Sequence, residues 1–295
     1  MPLHPEIAKA LASLPAPPAG PLDPVAMRAS EAEHLPPVTV ELPSVEDTAV
    51  GGVPVRVYTP KDADATLVYF HGGAFFLGSL DTHDHVAREL ARATGRTVVS
   101  VDYRLAPEHA FPAGLDDCYA VVTELGAQAP VAIVGDSSGG TFAAAIAARA
   151  HDEAASEDRR VVSHQVLLYP SLDLDFDEDR YPSLRENAVG YGLETAGLKP
   201  FNAFYLESGA DPADPRVSPI KREDLSGLPP ALIITAELDP LRDEGELYGE
   251  RLRAAGVEAT VSRYAGAGHG FVQHFAQIPE YHRVYDEIAA FLKEV

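Results

Sequence analysis

Val131-Ala-Ile-Val-Gly-Asp-Ser-Ser-Gly-Gly140 runs straight into Thr141-Phe-Ala-Ala-Ala-Ile-Ala-Ala-Arg-Ala150. The apolar, β-branched start reads as a short buried strand, and the alanine-rich continuation is a strong helix former. Between them stand Gly135, Ser137 and Gly139 at alternate positions. The chain must turn from strand to helix there within a few residues, and small neighbours permit so tight a backbone. A serine at the apex of such a turn is held in a strained conformation, and the first amides of the helix lie free beside it. Ser137 is therefore a candidate nucleophile.

The same strand-then-helix rhythm extends outward from this turn. Val53–Thr59 alternates with period two, as a half-buried strand does. Ala65–Phe70, Thr97–Val101, Val131–Val134, Gln165–Tyr169, Ala231–Ala236 and Ala259–Tyr264 are near-continuously apolar, which suits buried strands of a parallel sheet. Helical patterns separate them at Asp84–Thr94, Ala113–Ala127, Ser138–Ala150, Arg242–Ala255 and Glu280–Lys293. This alternation predicts an α/β fold with a mostly parallel central sheet and helices on both faces. Residues 1–45 and 174–215 break the rhythm, the first with short helical patterns and the second with acidic, aromatic and Pro-rich stretches. They are expected to form a discontinuous cap over a sheet-bearing domain of residues 46–173 and 216–295.

Composition narrows the function. Of 295 residues, 46% are hydrophobic, enough for one large core. With 23 Lys and Arg against 45 Asp and Glu, the net charge is −22. Such a surface repels phosphate backbones and anionic lipid, so neither nucleic acid nor a membrane is an expected partner. The Pro- and Ala-rich start, Met1–Gly20, lacks a basic segment followed by an apolar run, so no signal peptide and a cytoplasmic location are expected. Cys118, the single cysteine, allows no intrachain disulfide and reads as a small buried residue.

A serine nucleophile needs donors for a developing oxyanion, a base and an orienting acid. His71-Gly-Gly-Ala-Phe-Phe76 follows a strand, and its glycines let backbone amides turn inward. Gly73, Ala74 and Ser138 are the candidate donors, with Gly72 lending the loop freedom. Among 11 histidines, His269 stands on a loop of small residues directly after the last strand, where it can reach into a cleft. His274 and His282 read as surface or packing residues, and His83 and His85 as helix-capping and surface residues rather than metal ligands. Asp239 emerges after Ala231–Ala236 at the same sheet end, with Glu237 and Asp243 as rivals for the acid.

Taken together, five segments resemble the bacterial hormone-sensitive-lipase-like esterases, a group with the α/β-hydrolase fold. They are His71-Gly-Gly-Ala-Phe75, Asp102-Tyr-Arg-Leu-Ala-Pro-Glu-His-Ala-Phe-Pro-Ala113, Gly135-Asp-Ser-Ser-Gly-Gly140, Asp239-Pro-Leu-Arg-Asp-Glu-Gly245 and His269-Gly-Phe271. The resemblance implies a serine carboxylesterase without metal or cofactor, capped by an N-terminal segment and an insertion. It implies a triad of Ser137, Asp239 and His269, oxyanion donors at Gly73, Ala74 and Ser138, and a preference for short acyl chains. It also allows a homodimer through the edge strand near Ala259–Tyr264. Two residues depart from the pattern: Ala74 stands where the family has a third glycine, and Ser138 where it has alanine.

No basic or acidic pocket signature is evident, so a neutral small-molecule ester is the expected substrate. Phe75, Phe76, Phe201, Phe204, Tyr205 and Phe271 are candidates for an apolar acyl pocket. An acyltransferase or amidase would use the same machinery. Plant gibberellin receptors resemble the family but lack the catalytic histidine, whereas this chain has His269. A base at His269 must be neutral to work, so activity should fall below about pH 6, near the reference imidazole pKa. A pH–rate profile that stays flat down to about pH 4 would remove His269 from that role.

Overall fold

A computed structural model of the chain describes residues 2–13, 20–38, 40–154 and 160–293. Its sheet has eight strands: β1 (Ser44–Val50), β2 (Val53–Thr59), β3 (Thr66–Phe70), β4 (Thr97–Val101), β5 (Val131–Asp136), β6 (Val162–Leu168), β7 (Ala231–Leu238) and β8 (Ala259–Gly268). Their order is β1-β2-β4-β3-β5-β6-β7-β8. The two pairings of β2, with β1 and β4, are antiparallel, and all others are parallel. Helices are α1 (Pro5–Ser13), α2 (Pro24–Ala32), α3 (Asp84–Thr94), α4 (Ala113–Gly126), α5 (Ser138–Ala154) and α6 (Ser183–Glu186). They continue as α7 (Thr195–Leu206), α8 (Arg242–Ala254), α9 (Phe271–His274), α10 (Pro279–His282) and α11 (Val284–Phe291). None of the described helices is long and apolar enough to cross a membrane.

Strand side chains alternate between two cores. Val68, Phe70, Val131 and Ile133 join Leu115, Phe142 and Leu252 on the face covered by α4, α5 and α8. Leu67, Tyr69, Ala132 and Val134 join Val86, Leu90 and Ile288 under α3 and α11. Burial on both faces explains why these strands read as continuous apolar runs. Each fully buried aliphatic or aromatic side chain contributes about 1.5–3 kcal/mol, so the central strands dominate stability.

The structure revises some expected boundaries. β1 begins at Ser44, inside the segment expected to belong to the cap, and pairs with β2 through Val50 opposite Val53. Its exposed, polar sequence at a sheet edge gives no alternating signal. The helix expected over Glu280–Lys293 is divided into α10 and α11 at Arg283. The backbone there stays right-handed (φ −58°, ψ −12°). β8 is an edge strand, and His4 N–H donates to Gly266 O near its C-terminal end.

His83 is also corrected. It is buried rather than on the surface, with its ring 5.2 Å from that of His71 and its Nε2 3.8 Å from Asp136 Oδ2. It precedes α3 on the helical face that carries Val86, Ala87 and Leu90 into the core. Burial lowers the pKa of His71 and of His83 from 6.5 to about 3, so both are neutral in the folded protein. In the unfolded chain each takes up a proton near pH 6.5, so the unfolded state binds more protons below that pH. Thermal stability should therefore decline as pH falls from about 6.5 toward 3, and His83→Gln should make that decline shallower. A melting-temperature series in both proteins reads this, and identical slopes would clear His83 of the effect.

Candidate active site

The candidate residues gather at the C-terminal end of the sheet's strands because each is the first residue after a parallel strand. His71 follows β3, Ser137 follows β5, Asp239 follows β7 and His269 follows β8. Parallel strands deliver their C-terminal ends to the same side, which is where open α/β sheets carry their sites. His269 Nδ1 lies 2.7 Å from Asp239 Oδ2, and its Nε2 lies 2.9 Å from Ser137 Oγ. Asp239 is buried, and its Oδ1 accepts from Leu241 N–H at 2.9 Å, so both carboxylate oxygens are committed.

The rival acids lie elsewhere. Glu237 accepts from Gly266 N–H at 2.7 Å. Asp243 accepts from Ser183 N–H at 2.8 Å and from Arg242 Nε, also at 2.8 Å.

Ser137 has a positive φ of +54°, a conformation costing roughly 1–3 kcal/mol that the surroundings must enforce. A Cβ on Gly135 would lie 2.0 Å from Gly139 O, and one on Gly139 would lie 2.0 Å from Phe70 O. The backbone contacts of β3, β5 and α5 at this turn thus exclude any side chain. Ser137 N–H donates to Leu168 O at 2.9 Å, tying the turn to β6.

The loop after β3 bends through positive φ at Gly73 (+123°), Ala74 (+49°) and Phe75 (+68°). The alanine departure therefore falls on a left-handed residue, where a methyl group is strained. The amides of Gly73, Ala74 and Ser138 make no hydrogen bond within the described residues, and all three residues line the cavity with Ser137 and His269. Gly72 plays a different part from the one expected. Its φ is not positive, and its N–H donates to Asp136 Oδ1 at 2.9 Å. Tyr69 Oη donates to the same oxygen at 2.7 Å. Burial pushes the Asp136 carboxyl above its ordinary range, against these hydrogen bonds. Ser138 Oγ accepts from Phe75 N–H at 3.3 Å, a link that alanine lacks. Behind the loop, the Tyr103 ring stacks on His71 at 4.3 Å and its hydroxyl donates to His71 O at 2.8 Å, while Ala106 N–H donates to Phe75 O at 2.9 Å.

The cavity holds about 600 Å³. Residues from both irregular segments wall it, among them Ile7, Leu11, Tyr191, Leu193 and Leu198. Of the six aromatic residues expected around an acyl group, Phe76 and Phe201 line it. Phe75 and Tyr205 are buried and stack on each other at 3.9 Å, one turn along α7 from Phe201. Phe204 packs against Phe76 at 4.9 Å, and Phe271 is buried against Tyr264 at 4.9 Å. Phe75 and Phe76 belong to one buried cluster, and only Phe76 also reaches the cavity, which residue type alone does not reveal.

Tyr169 was not singled out from the sequence. It was expected to end a strand, yet β6 stops at Leu168 and Tyr169 turns to φ +36°. Its ring lies 5.0 Å from that of His269, edge to face, and it lines the cavity. The signal was available, since Tyr169 too is the first residue after a parallel strand. His274, read as a surface or packing residue, is exposed and stands at the cavity wall.

A model of the alpha/beta hydrolase fold family matches residues 67–273. The chain is 40% identical over 262 residues to the carboxylesterase NlhH of Mycobacterium tuberculosis, covering 84% of this chain and 80% of that protein. It is 37% identical over 241 residues to an ethyl acetate hydrolase of Pseudomonas putida, covering 77% and 74%. The solved structure of a hyperthermophilic esterase from the archaeon Pyrobaculum calidifontis superposes with a TM-score of 0.86 at 38% identity, over 99% of this chain and 98% of that one. The chain belongs to the α/β-hydrolase family and, within it, to the hormone-sensitive-lipase-like esterases.

Ser138→Ala isolates the link between turn and loop. It leaves the buried Phe75 N–H without its acceptor, which should cost about 1–3 kcal/mol in thermal or denaturant unfolding. A change within about 0.3 kcal/mol would mean that the loop relaxes to another acceptor.

Proposed function

We propose that the chain is a serine carboxylesterase that hydrolyses short-chain acyl esters of small molecules. The observation that carries this is the continuous line Ser137 Oγ–His269–Asp239, with contacts of 2.9 and 2.7 Å, opening into a cavity beside unspent amides. His269 Nε2 takes the proton of Ser137 Oγ as that oxygen attacks the ester carbonyl carbon. The carbonyl oxygen becomes an anion and accepts from the N–H groups of Gly73, Ala74 and Ser138. His269 returns the proton to the leaving alcohol, and the acyl group stays on Ser137. Water then gives a proton to His269 and attacks the acyl carbon, and the carboxylic acid leaves as Ser137 regains its proton.

Asp239 holds the ring with Nδ1–H toward itself, leaving Nε2 as the acceptor. Tyr169 closes one side of the ring and narrows its freedom. The segments before β1 and between β6 and β7 act as the cap. Phe76, Leu198 and Phe201 from the loop and α7 bound the apolar space assigned here to the acyl chain.

A p-nitrophenyl ester series from acetyl to long acyl chains tests this reading. kcat/KM should fall steeply beyond the short acyl chains, and Ser137→Ala should lower kcat by about four orders of magnitude or more. Full activity in the folded Ser137→Ala protein would end the proposal.

A further inference from the structure

The cavity has an asymmetric electrostatic lining. Among the described residues, its acidic and imidazole wall residues are Glu31, Asp136, His269 and His274, and no lysine or arginine lines it. Asp136 is buried and already bonded to Gly72 and Tyr69, and His269 serves the proposed chemistry. Glu31 differs from both. It comes from α2 and reaches the wall beside Phe76 and Leu77. Its Oε2 accepts from Gly78 N–H at 3.1 Å. Its Oε1 makes no hydrogen bond or ion pair among the described residues.

The charge of Arg28 favours the ionised Glu31 carboxylate, but less than burial disfavours it. Arg28, one turn earlier on α2, is committed to Glu108 at 2.8 Å, to Phe76 O at 2.7 Å and to Ala106 O at 2.5 Å. Glu31 is thus a half-buried carboxylate with one free oxygen on the wall of an apolar cavity. Burial raises its pKa, which a cation brought close to it would offset. The rings of Phe76, Tyr191, Phe201 and Phe275 line the same cavity, and aromatic faces attract cations as well. The net charge of −22 adds a field that concentrates cations at the protein.

We propose that Glu31 is a specificity-determining residue that selects esters carrying a positively charged nitrogen over their neutral isosteres. The proposal rests on the esterase reading above and names the substrate class of that site. An ammonium group on the alcohol or the acyl part would pair with Oε1, while an ester bearing a carboxylate would be repelled. Gly78 N–H keeps the carboxylate oriented while the other oxygen stays open.

The test uses matched acetate esters, one set with a trimethylammonium end and one with the neutral tert-butyl end, on spacers of increasing length. Ser137-dependent hydrolysis of the neutral set establishes the esterase reading by itself. The quantity that tests Glu31 is the ratio of kcat/KM for the cationic ester to that for its neutral isostere. In the unchanged protein this ratio should exceed one by about tenfold at one spacer length or more. In Glu31→Gln, which retains an acceptor for Gly78, it should fall to near one. A ratio at or below one at every length, or the same ratio in both proteins, would overturn the proposal. Should Glu31→Gln lose activity on both sets, inhibition of the unchanged protein decides. Butyltrimethylammonium ion should inhibit neutral-ester hydrolysis at about tenfold lower concentration than an uncharged alcohol of the same size. Equal inhibition by the two would overturn it.

Discussion

The close backbone contact where β5 turns into α5 is the constraint on which the site depends. Gly139 packs against the carbonyl of Phe70 with no room for a Cβ, and Gly135 packs against Gly139 in the same way. That contact forces the end of β3, the turn and the start of α5 into one rigid block. Ser137 is left at φ +54° with its hydroxyl facing the cavity, and the amide of Ser138 heads the helix beside it. The turn is also tied to β6, through Ser137 N–H to Leu168 O, and to the segment after it, through Ser171 N–H to Ser137 O. A strained residue persists only where its neighbours over-determine it, and here three strands do so.

The loop after β3 depends on the same block. Asp136, the residue before the proposed nucleophile, holds Gly72, and Ser138, the residue after it, holds Phe75. The loop is therefore fastened on both sides of Gly73 and Ala74, whose amides remain unspent. In the proposed reaction, donors preorganised in this way pay no reorganisation cost as charge develops. The alanine at position 74 adopts a positive φ because these fastenings leave it no alternative. Arg28 extends the coupling outward, since its guanidinium joins α2 to Phe76 O and Ala106 O. Movement of α2 would disturb the loop as well as the cavity wall.

The aromatic residues show where reading by residue type falls short. Phe75 and Phe76 are adjacent, identical and both buried, yet Phe75 stacks on Tyr205 and only Phe76 reaches the cavity. The place each takes is decided by the left-handed backbone of the loop, a property of tertiary contacts rather than of phenylalanine. Tyr169 and His83 were missed for a different reason. Tyr169 ends an apolar run and His83 sits within the polar run Asp81–His85, so each looks like a boundary residue. Their positions carried the information: the first residue after a parallel strand in one case, and the inward face of α3 in the other.

The strands from β2 onward with the helices α3, α4, α5 and α8, the tight turn around Ser137 and the chain positions of Asp239 and His269 are legible in the sequence. They depend on local periodicity, on small residues at a sharp turn and on the rule that parallel strands end on one side. Three matters were decided by tertiary structure alone. Gly72 spends its amide on Asp136, the cavity takes two of the six candidate aromatic residues, and Glu31 reaches its wall from a helix more than a hundred residues before Ser137. Each depends on which distant segments meet. Such meetings follow from the packing of the whole sheet and its covering segments, which no local window of sequence contains.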